Sequence, residues 1–529
     1  MSRGTKIIRT AVLWAALIYG PAAFTATNAT ELTYDFSFAE PLWNRSQLGE
    51  DFEIPQLEGA RTIGHPGEPL LPVYSARILL PPGEEIVTVR VVPESTPLVA
   101  HHLPAPAQSE HPLSMEGPFP PTEPKEEIYA SASLFPAEPG EFITVQRYRG
   151  HSIAYVNLFP LRARLAIGAV EFTANLRLEI STAPSEQALA NSARMYRTDA
   201  STRSWLRRNV ENPELADSYE AAYLSGQIQR APTQPRGLVD PAETRVYVII
   251  TSETLAPVYQ ALADDRTSKG LPAEIVTVPA IYAAYTGRDP QEQVRNFIID
   301  AYQNWNSEYI LFGGDIDVIP DRDCYCYIID EGNPMETNDL CCELYYGGLD
   351  GTWNDDDDDR WGEVGEEDLI PDIHVGRVCS DNSTQAQNFI NKLIRYEREP
   401  VVDEAETASF YGEYLWELTW GEMYMEEIRL GASTWGYTTA GVPLYWDTDT
   451  FYEMSGSWSG SDYINEMNGG CHMAHHLGHS NSSYNCKVSI GDIPSFTADG
   501  IGHTYNIGYS QGCMAGEFDH TDCIHEEFV

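Results

Sequence analysis

The sequence predicts an α/β domain with a mostly parallel sheet, preceded by a β-rich domain. Three observations carry this. To about residue 240, runs such as "ARILLPPGEEIVTVRVVP" and "AVEFTANLRLEIS" alternate or cluster β-branched residues between prolines and glycines. From residue 244, short apolar strands alternate with helix-length segments, the pattern of a parallel sheet covered on both faces. The chain has 529 residues, too many for one ordinary domain, and is 42% hydrophobic, enough for more than one core.

At the N-terminus, Arg3, Lys6 and Arg9 precede the apolar run "TAVLWAALIYGPAAF" and then small residues. This is the pattern of a secretory signal, with cleavage expected after Ala26 or Ala29 and a signal peptide over 1–29. The run is short for a membrane span, and no later segment has the length and apolarity of one. Residues 30–228 read as β-rich, with proline-rich loops at 92–140 and a polar segment with an Arg-containing helix-like run, 185–240, that looks like a linker. Its most exposed-looking part is "QRAPTQPRGLVDP" (229–241), with Arg230 and Arg236, and 229–243 is the linker that holds the expected processing site.

The second domain, 244–529, follows element by element. "TRVYVIIT" is a strand, and "SETLAPVYQALADDRTSKG" a helix capped by Ser252 and stopped near Gly270. "AEIVTV" is a strand; "DPQEQVRNFIIDAYQNW" is a helix with Pro290 in its first turn. "EYILFGGD" and, after an acidic insertion, "IPDIHVGRV" are strands. "TQAQNFINKLIRYERE" is a helix, "ASFYGEYL" a strand and "GEMYMEEIRLGAS" a helix. "HMAHHLG" and "YNIGYSQ" are the last strand-like runs.

Charge and cysteine content narrow the function. The formal net charge is -46, which argues against a nucleic-acid partner because phosphates would go unneutralised. Such a surface suits a soluble extracellular protein. All nine cysteines lie from Cys324 onward. Outside the cytoplasm most are expected in disulfides, and the odd count leaves at least one thiol over.

The chemistry concentrates in "AHHLGHSNSS" (474–483) and "YSQGCMAGEFD" (509–519). His472, His475, His476 and His479 would share one helix face and suit zinc. The flanking glycines and the shortness of the run favour a strand instead, which sends successive histidines to opposite faces. His472, His475 and His476 then read as hydrogen-bonded structural groups. His479 follows Gly478, and Cys513 follows Gly512, each at a strand's carboxyl end, the edge where open α/β sheets carry their sites. Gly512 and Gly516 suggest a backbone bent to expose the sulfur. An imidazole can hold such a thiol as thiolate and later protonate a leaving amine. Backbone N–H groups can steady the oxyanion, and a carboxylate can orient the imidazole. Glu413, also at a strand's carboxyl end, is the natural third member.

"LGHSNSSYN" followed by "YSQGCMAGEFDHTDCIHEEF" resembles the gingipain-type cysteine peptidases (peptidase family C25, caspase-like clan). The likeness extends back through "ILFGGDIDVIP", "DIHVGR" and "FYGEYL", over roughly 244–529, and "GEPLLPVYSARILLPPG" is similar to the family's β-rich propeptide. The resemblance implies a caspase-like fold, Cys513 as nucleophile, His479 as general acid/base and Glu413 as the orienting acid. It places the oxyanion amides at Cys513 and at Ser480, where the family usually has Gly. It implies a secreted endopeptidase precursor whose propeptide covers the active-site edge until cut. Rival readings are a catalytically silent calcium-binding surface or adhesion protein on the same fold, which Ser480 favours, and a sortase-like processing peptidase of a secretion system. In relatives the nucleophile turn is followed by further structure, so the chain is expected to continue past Val529.

The insertion "LDGTWNDDDDDRWGE" (349–363) alternates oxygen ligands in a turn. Structural calcium is expected there, on Asp350, Asn354, Asp356, Asp358 and Glu363, although the loop is not an EF-hand. Adjacent acids repel strongly without a cation. Catalysis itself calls for no cofactor. The expected partners are protein or peptide substrates and the chain's own propeptide.

Overall fold

The computed structural model describes residues 29–528, apart from 47, 50, 110–119, 229–236, 331–332, 417–418, 433–438 and 520–521. The expected signal peptide and most of the expected processing segment therefore lie outside the described residues. The described residues form two compact units, within 29–109 and 121–228, and within 237–432 and 439–528.

The first unit is antiparallel. Asn175–Pro184 pairs with Thr30–Ser37 on one side and Glu84–Pro93 on the other. A four-stranded sheet carries Leu71–Leu79 beside His151–Leu158. The period of two is visible in Leu176, Leu178 and Ile180, which point inward and meet Ile78, Leu80, Val156, Leu32 and Phe36 in one core. Up to residue 228, the described part of the segment read as a linker is largely helical. Helices span Glu186–Met195, Ala200–Asn209 and Ala216–Leu224. Ser185 and Asp199 cap the first two, accepting from Ala188 N–H and Thr202 N–H. Met195, Leu206 and Tyr219 anchor them. Each helix buries only two or three side chains, so the segment is polar overall and reads as a linker.

In the second unit eight strands make two parallel sheets, not one. The first uses β1 (Tyr247–Thr251), β2 (Ala273–Thr277), β3 (Tyr309–Gly313) and β4 (His374–Val378), in the order β2-β1-β3-β4. The second uses β5 (Thr407–Gly412), β6 (Asp447–Tyr452), β7 (Met473–Leu477) and β8 (Ile507–Ser510), in the order β6-β5-β7-β8. Helices α1 (Ala256–Ser268), α2 (Pro290–Asp300), α3 (Ser383–Arg398), α4 (Gly421–Leu430) and α5 (Gly460–Asn468) connect or flank them. Their starts are written locally: Asp289 caps α2 through Glu292 N–H, and Asn382 with Gln385 forms a capping box for α3.

The first core gathers Ile249, Leu311 and Val378 with Tyr259 and Leu262 of α1 and Ala386 and Ile390 of α3. β5 (TASFYG) is buried on both faces, so its sequence does not alternate apolar and polar, and its small Ser409 is buried with the rest. Phe410 faces Met425 of α4; Tyr411 faces Tyr463 and Met467 of α5. β6 escaped the sequence reading because it is a polar edge strand, DTDTFY, with only Tyr452 buried.

Candidate active site

Three strands bring the chemistry to one sheet edge. β5 ends at Gly412 and delivers Glu413; β7 ends at Leu477 and delivers His479 and Ser480; β8 ends at Ser510 and delivers Cys513. Because β5, β7 and β8 are adjacent and parallel, their carboxyl ends coincide. Glu413 N–H donates to Leu477 O at 3.0 Å, and Gln511 N–H to His476 O at 2.9 Å, tying the three turns together.

The histidines of β7 take alternate faces. His475 stacks on Phe410 with centroids 5.7 Å apart. His472 bonds Ala405 O through Nδ1 and the Tyr396 hydroxyl through Nε2. Among the described residues none of the four belongs to a group of side chains close enough to share a metal ion. The half-buried His479 donates from Nε2 to Tyr414 O at 2.9 Å, which leaves Nδ1 as its basic nitrogen.

Glu413 is 5% exposed, and its carboxylate is divided. Oε2 accepts from the His479 backbone N–H at 3.2 Å, and Oε1 meets His476 Nε2 at 3.0 Å. Thus the acid reaches His479 through the main chain, while a carbonyl meets its ring. Burial opposes a charge on His476, but the Cys486 sulfur and the Glu413 carboxylate outweigh it, and its pKa is pushed up to about 10. His476 and the Tyr414 carbonyl were missed as parts of this site. The only sequence signal for the first was an imidazole in the strand leading to His479.

Ser480 is buried, and its hydroxyl donates to Cys513 O at 2.5 Å. A Cβ on Gly512 would sit 2.2 Å from Ser480 Oγ and 2.7 Å from its Cβ. Gly512 is therefore the complement of Ser480: a side chain absent from one turn makes room for one on the other. Gly516 plays no comparable part, since the nearest atom to its Cβ would be 3.7 Å away. The bend after the cysteine falls on Met514, at φ 58°, a left-handed conformation that non-glycine residues rarely adopt. Cys513 is half-buried.

All nine cysteines are free thiols in the structure, against the expected disulfides. Cys324 and Cys342 hydrogen-bond one another, and Cys486 contacts His476 and Tyr463.

The expected calcium residues separate into different places. Asp356, Asp358 and Glu363 each offer an oxygen, all within 4.8 Å of one another. Asp350 belongs instead to a buried trio with Asp368 and Asp372. Burial, then repulsion by Asp350, pushes the Asp368 carboxyl up to about 8. Asn354 is buried and donates from Nδ2 to Asp358 O at 2.7 Å, bracing the loop.

Two parallel sheets flanked by helices, with a histidine and a cysteine on neighbouring carboxyl ends, define a caspase-like α/β domain. A sequence profile of Peptidase family C25 matches residues 240–529, and the chain belongs to that family. No curated protein matches the chain. Among solved structures it is similar to the Arg-specific cysteine proteinase gingipain R (RgpB), at 16% identity and TM-score 0.40, covering 56% of this chain and 60% of that one. The complex of Porphyromonas gingivalis RgpB pro- and mature domains is similar at 15% identity and TM-score 0.38, over 53% and 59%. A P. gingivalis gingipain K structure concerned with zymogenic latency gives 21% identity and TM-score 0.26, over 34% of this chain and all of that one. The chain spans 56 to 60% of the length of the first three structures it matches. All these TM-scores are below 0.5, so membership rests on the profile match.

Proposed function

We propose that the protein is a secreted cysteine endopeptidase made as a zymogen, with Cys513 as nucleophile and His479 as general acid/base. Beside family membership, the observation that carries this reading is the Ser480 hydroxyl bonded to Cys513 O, which holds the histidine turn against the cysteine turn. His479 Nδ1 takes the Cys513 proton, and the thiolate attacks the scissile carbonyl carbon. The amides of Cys513 and Ser480 receive the oxyanion. Collapse of the tetrahedral adduct breaks the C–N bond; the proton on Nδ1 leaves with the amine, and an acyl-thioester remains. Water, deprotonated by Nδ1, then releases the acid and restores the thiol. Tyr414 O, holding Nε2–H, keeps the ring in the tautomer this needs. Glu413 contributes by clamping the His479 backbone.

Ser480 was the feature favouring a silent adhesion module. Its hydroxyl is turned onto Cys513 O and accommodated by Gly512, which supports the catalytic reading. Residues 30–228 are read as the propeptide, supported by their compact antiparallel unit with its own core. A peptidyl electrophile should label one cysteine stoichiometrically, at Cys513, and Cys513→Ala should abolish both labelling and turnover. Turnover surviving in Cys513→Ala would refute the mechanism.

Structural calcium on the insertion is a second element of the proposal. It is supported by the convergence of Asp356, Asp358 and Glu363, three hard oxygen donors of the kind calcium takes.

A further inference from the structure

The proposed chemistry uses His479 and leaves a second imidazole of the same strand unexplained. His476 is 1% exposed and lies beside the carboxylate that clamps the His479 turn. Its protonation can be counted from its partners. Ser510 Oγ donates to Asn485 Oδ1 at 2.9 Å, so the contact between Ser510 Oγ and His476 Nδ1, at 2.8 Å, is a bond that Nδ1–H donates. In this orientation Asn485 Nδ2 faces His525 Nε2 at 2.9 Å. At the other end, the Glu413 carboxylate can only accept, so Nε2 also carries a proton. Both ring nitrogens donate, and the ring is an imidazolium.

We infer that His476 is a buried imidazolium that positions the His479 turn by holding the Glu413 carboxylate in place. The inference rests on the reading of His479 as the acid/base. Every element packed on the ring agrees with it. Glu413 supplies the countercharge at the end of β5, and Ser510 the acceptor at the end of β8. The Cys486 thiol lies in contact, the Trp458 ring stands edge-on at 6.2 Å, and His525 is held below its ordinary pKa by burial and by the His476 charge. Gly478 leaves the space the pair occupies, since a Cβ there would fall 2.5 Å from both Glu413 Cδ and His476 Nε2. With one carboxylate oxygen held by His476 Nε2, the other holds His479 N–H.

Two readouts test this on the full chain. Nitrogen NMR of [15N]histidine-labelled protein at pH 8 should show one histidine protonated on both ring nitrogens. That signal should vanish in His476→Gln and in Glu413→Gln. His476→Gln should lower kcat and the rate of Cys513 labelling by about 10²-fold with KM little changed, as a displaced reacting group does. A wild-type spectrum with no imidazolium at pH 8 overturns the inference, whatever the variants do. So does His476→Gln with wild-type labelling rate. If wild-type Cys513 takes no label, the peptidase reading fails and the positioning role falls with it, while the NMR signal separately decides the protonation of His476.

Discussion

At the scale of single residues, the site depends on side chains that are missing as much as on those present. Ser480 occupies the space left by Gly512, and the pair should behave as a unit. Gly512→Ala pushes a methyl into Ser480 Oγ and Cβ and should cost roughly 1–3 kcal/mol, with most of the activity. The double variant Gly512→Ala/Ser480→Gly removes the obstacle and should recover stability, read by denaturant melts as a coupling energy. Additive effects would show that the two positions are independent. Within the dyad, Cys513→Ala should abolish turnover, and His479→Ala should lower kcat/KM by ~10³-fold or more, because neither half works alone. Glu413→Gln should cost less, since a side-chain amide oxygen can still accept from His479 N–H. A Glu413→Gln loss equal to that of His479→Ala would mean the acid acts directly on the ring. The sequence showed which residues stand at strand ends, because glycines and the strand pattern mark them. It did not show that Glu413 meets a backbone N–H and a different histidine, because partners across a sheet leave no trace in local spacing.

At the scale of elements, the apolar strands and the helices of the second unit were legible, since apolar runs and Pro290 in a first turn are local signals. The expected Ser252 cap was not found: α1 starts after Leu255, which makes no side-chain cap bond, and Ser252 Oγ accepts instead from Leu255 N–H. The polar edge strand β6 was not legible, because only Tyr452 of it is buried, and the helices of 186–224 were legible only as one helix-like run in a polar segment. The insertion loop is intermediate. Its carboxylates were evident, but the fold separates Asp350 from Asp356, Asp358 and Glu363. Chelation should therefore lower the melting temperature of the full chain by roughly 5 °C if calcium is bound at about 100 times its Kd. Asp356→Asn/Asp358→Asn should remove that difference, whereas a variant at Asp368 should leave it. Identical melts with and without chelator would make the loop a solvated acidic turn.

At the scale of the whole molecule, the first unit should be acid-sensitive. His151 is buried in it, its Nδ1 beside Tyr148 O and Arg149 O and its ring against Tyr219, and burial pushes its pKa down to about 4. The folded state then binds fewer protons than the unfolded one between pH 6.5 and 4. The stabilisation is present above 6.5 and lost as pH falls through this window, by up to about 3 kcal/mol. Limited proteolysis across pH 7 to 4 should show the first unit opening on the acid side, with the slope flattened in His151→Phe. An unchanged slope would remove His151 as its cause. If this unit is the inhibitory propeptide, purified 30–228 should inhibit the matured enzyme at pH 7 and lose potency towards pH 4.5. No inhibition at high excess would end the zymogen reading.

The sequence by itself determined the α/β class, the β-rich region before it, and Cys513, His479 and Glu413 as strand-end residues. Composition, period and glycine placement are local properties, and they survive in one dimension. Only the tertiary structure decided that the parallel strands divide into two sheets, that Ser480 fits against Gly512, and that the buried carboxylate of Glu413 is shared between an imidazolium and a backbone N–H. Those outcomes depend on which strands lie side by side, and long-range burial and hydrogen bonding select that pairing.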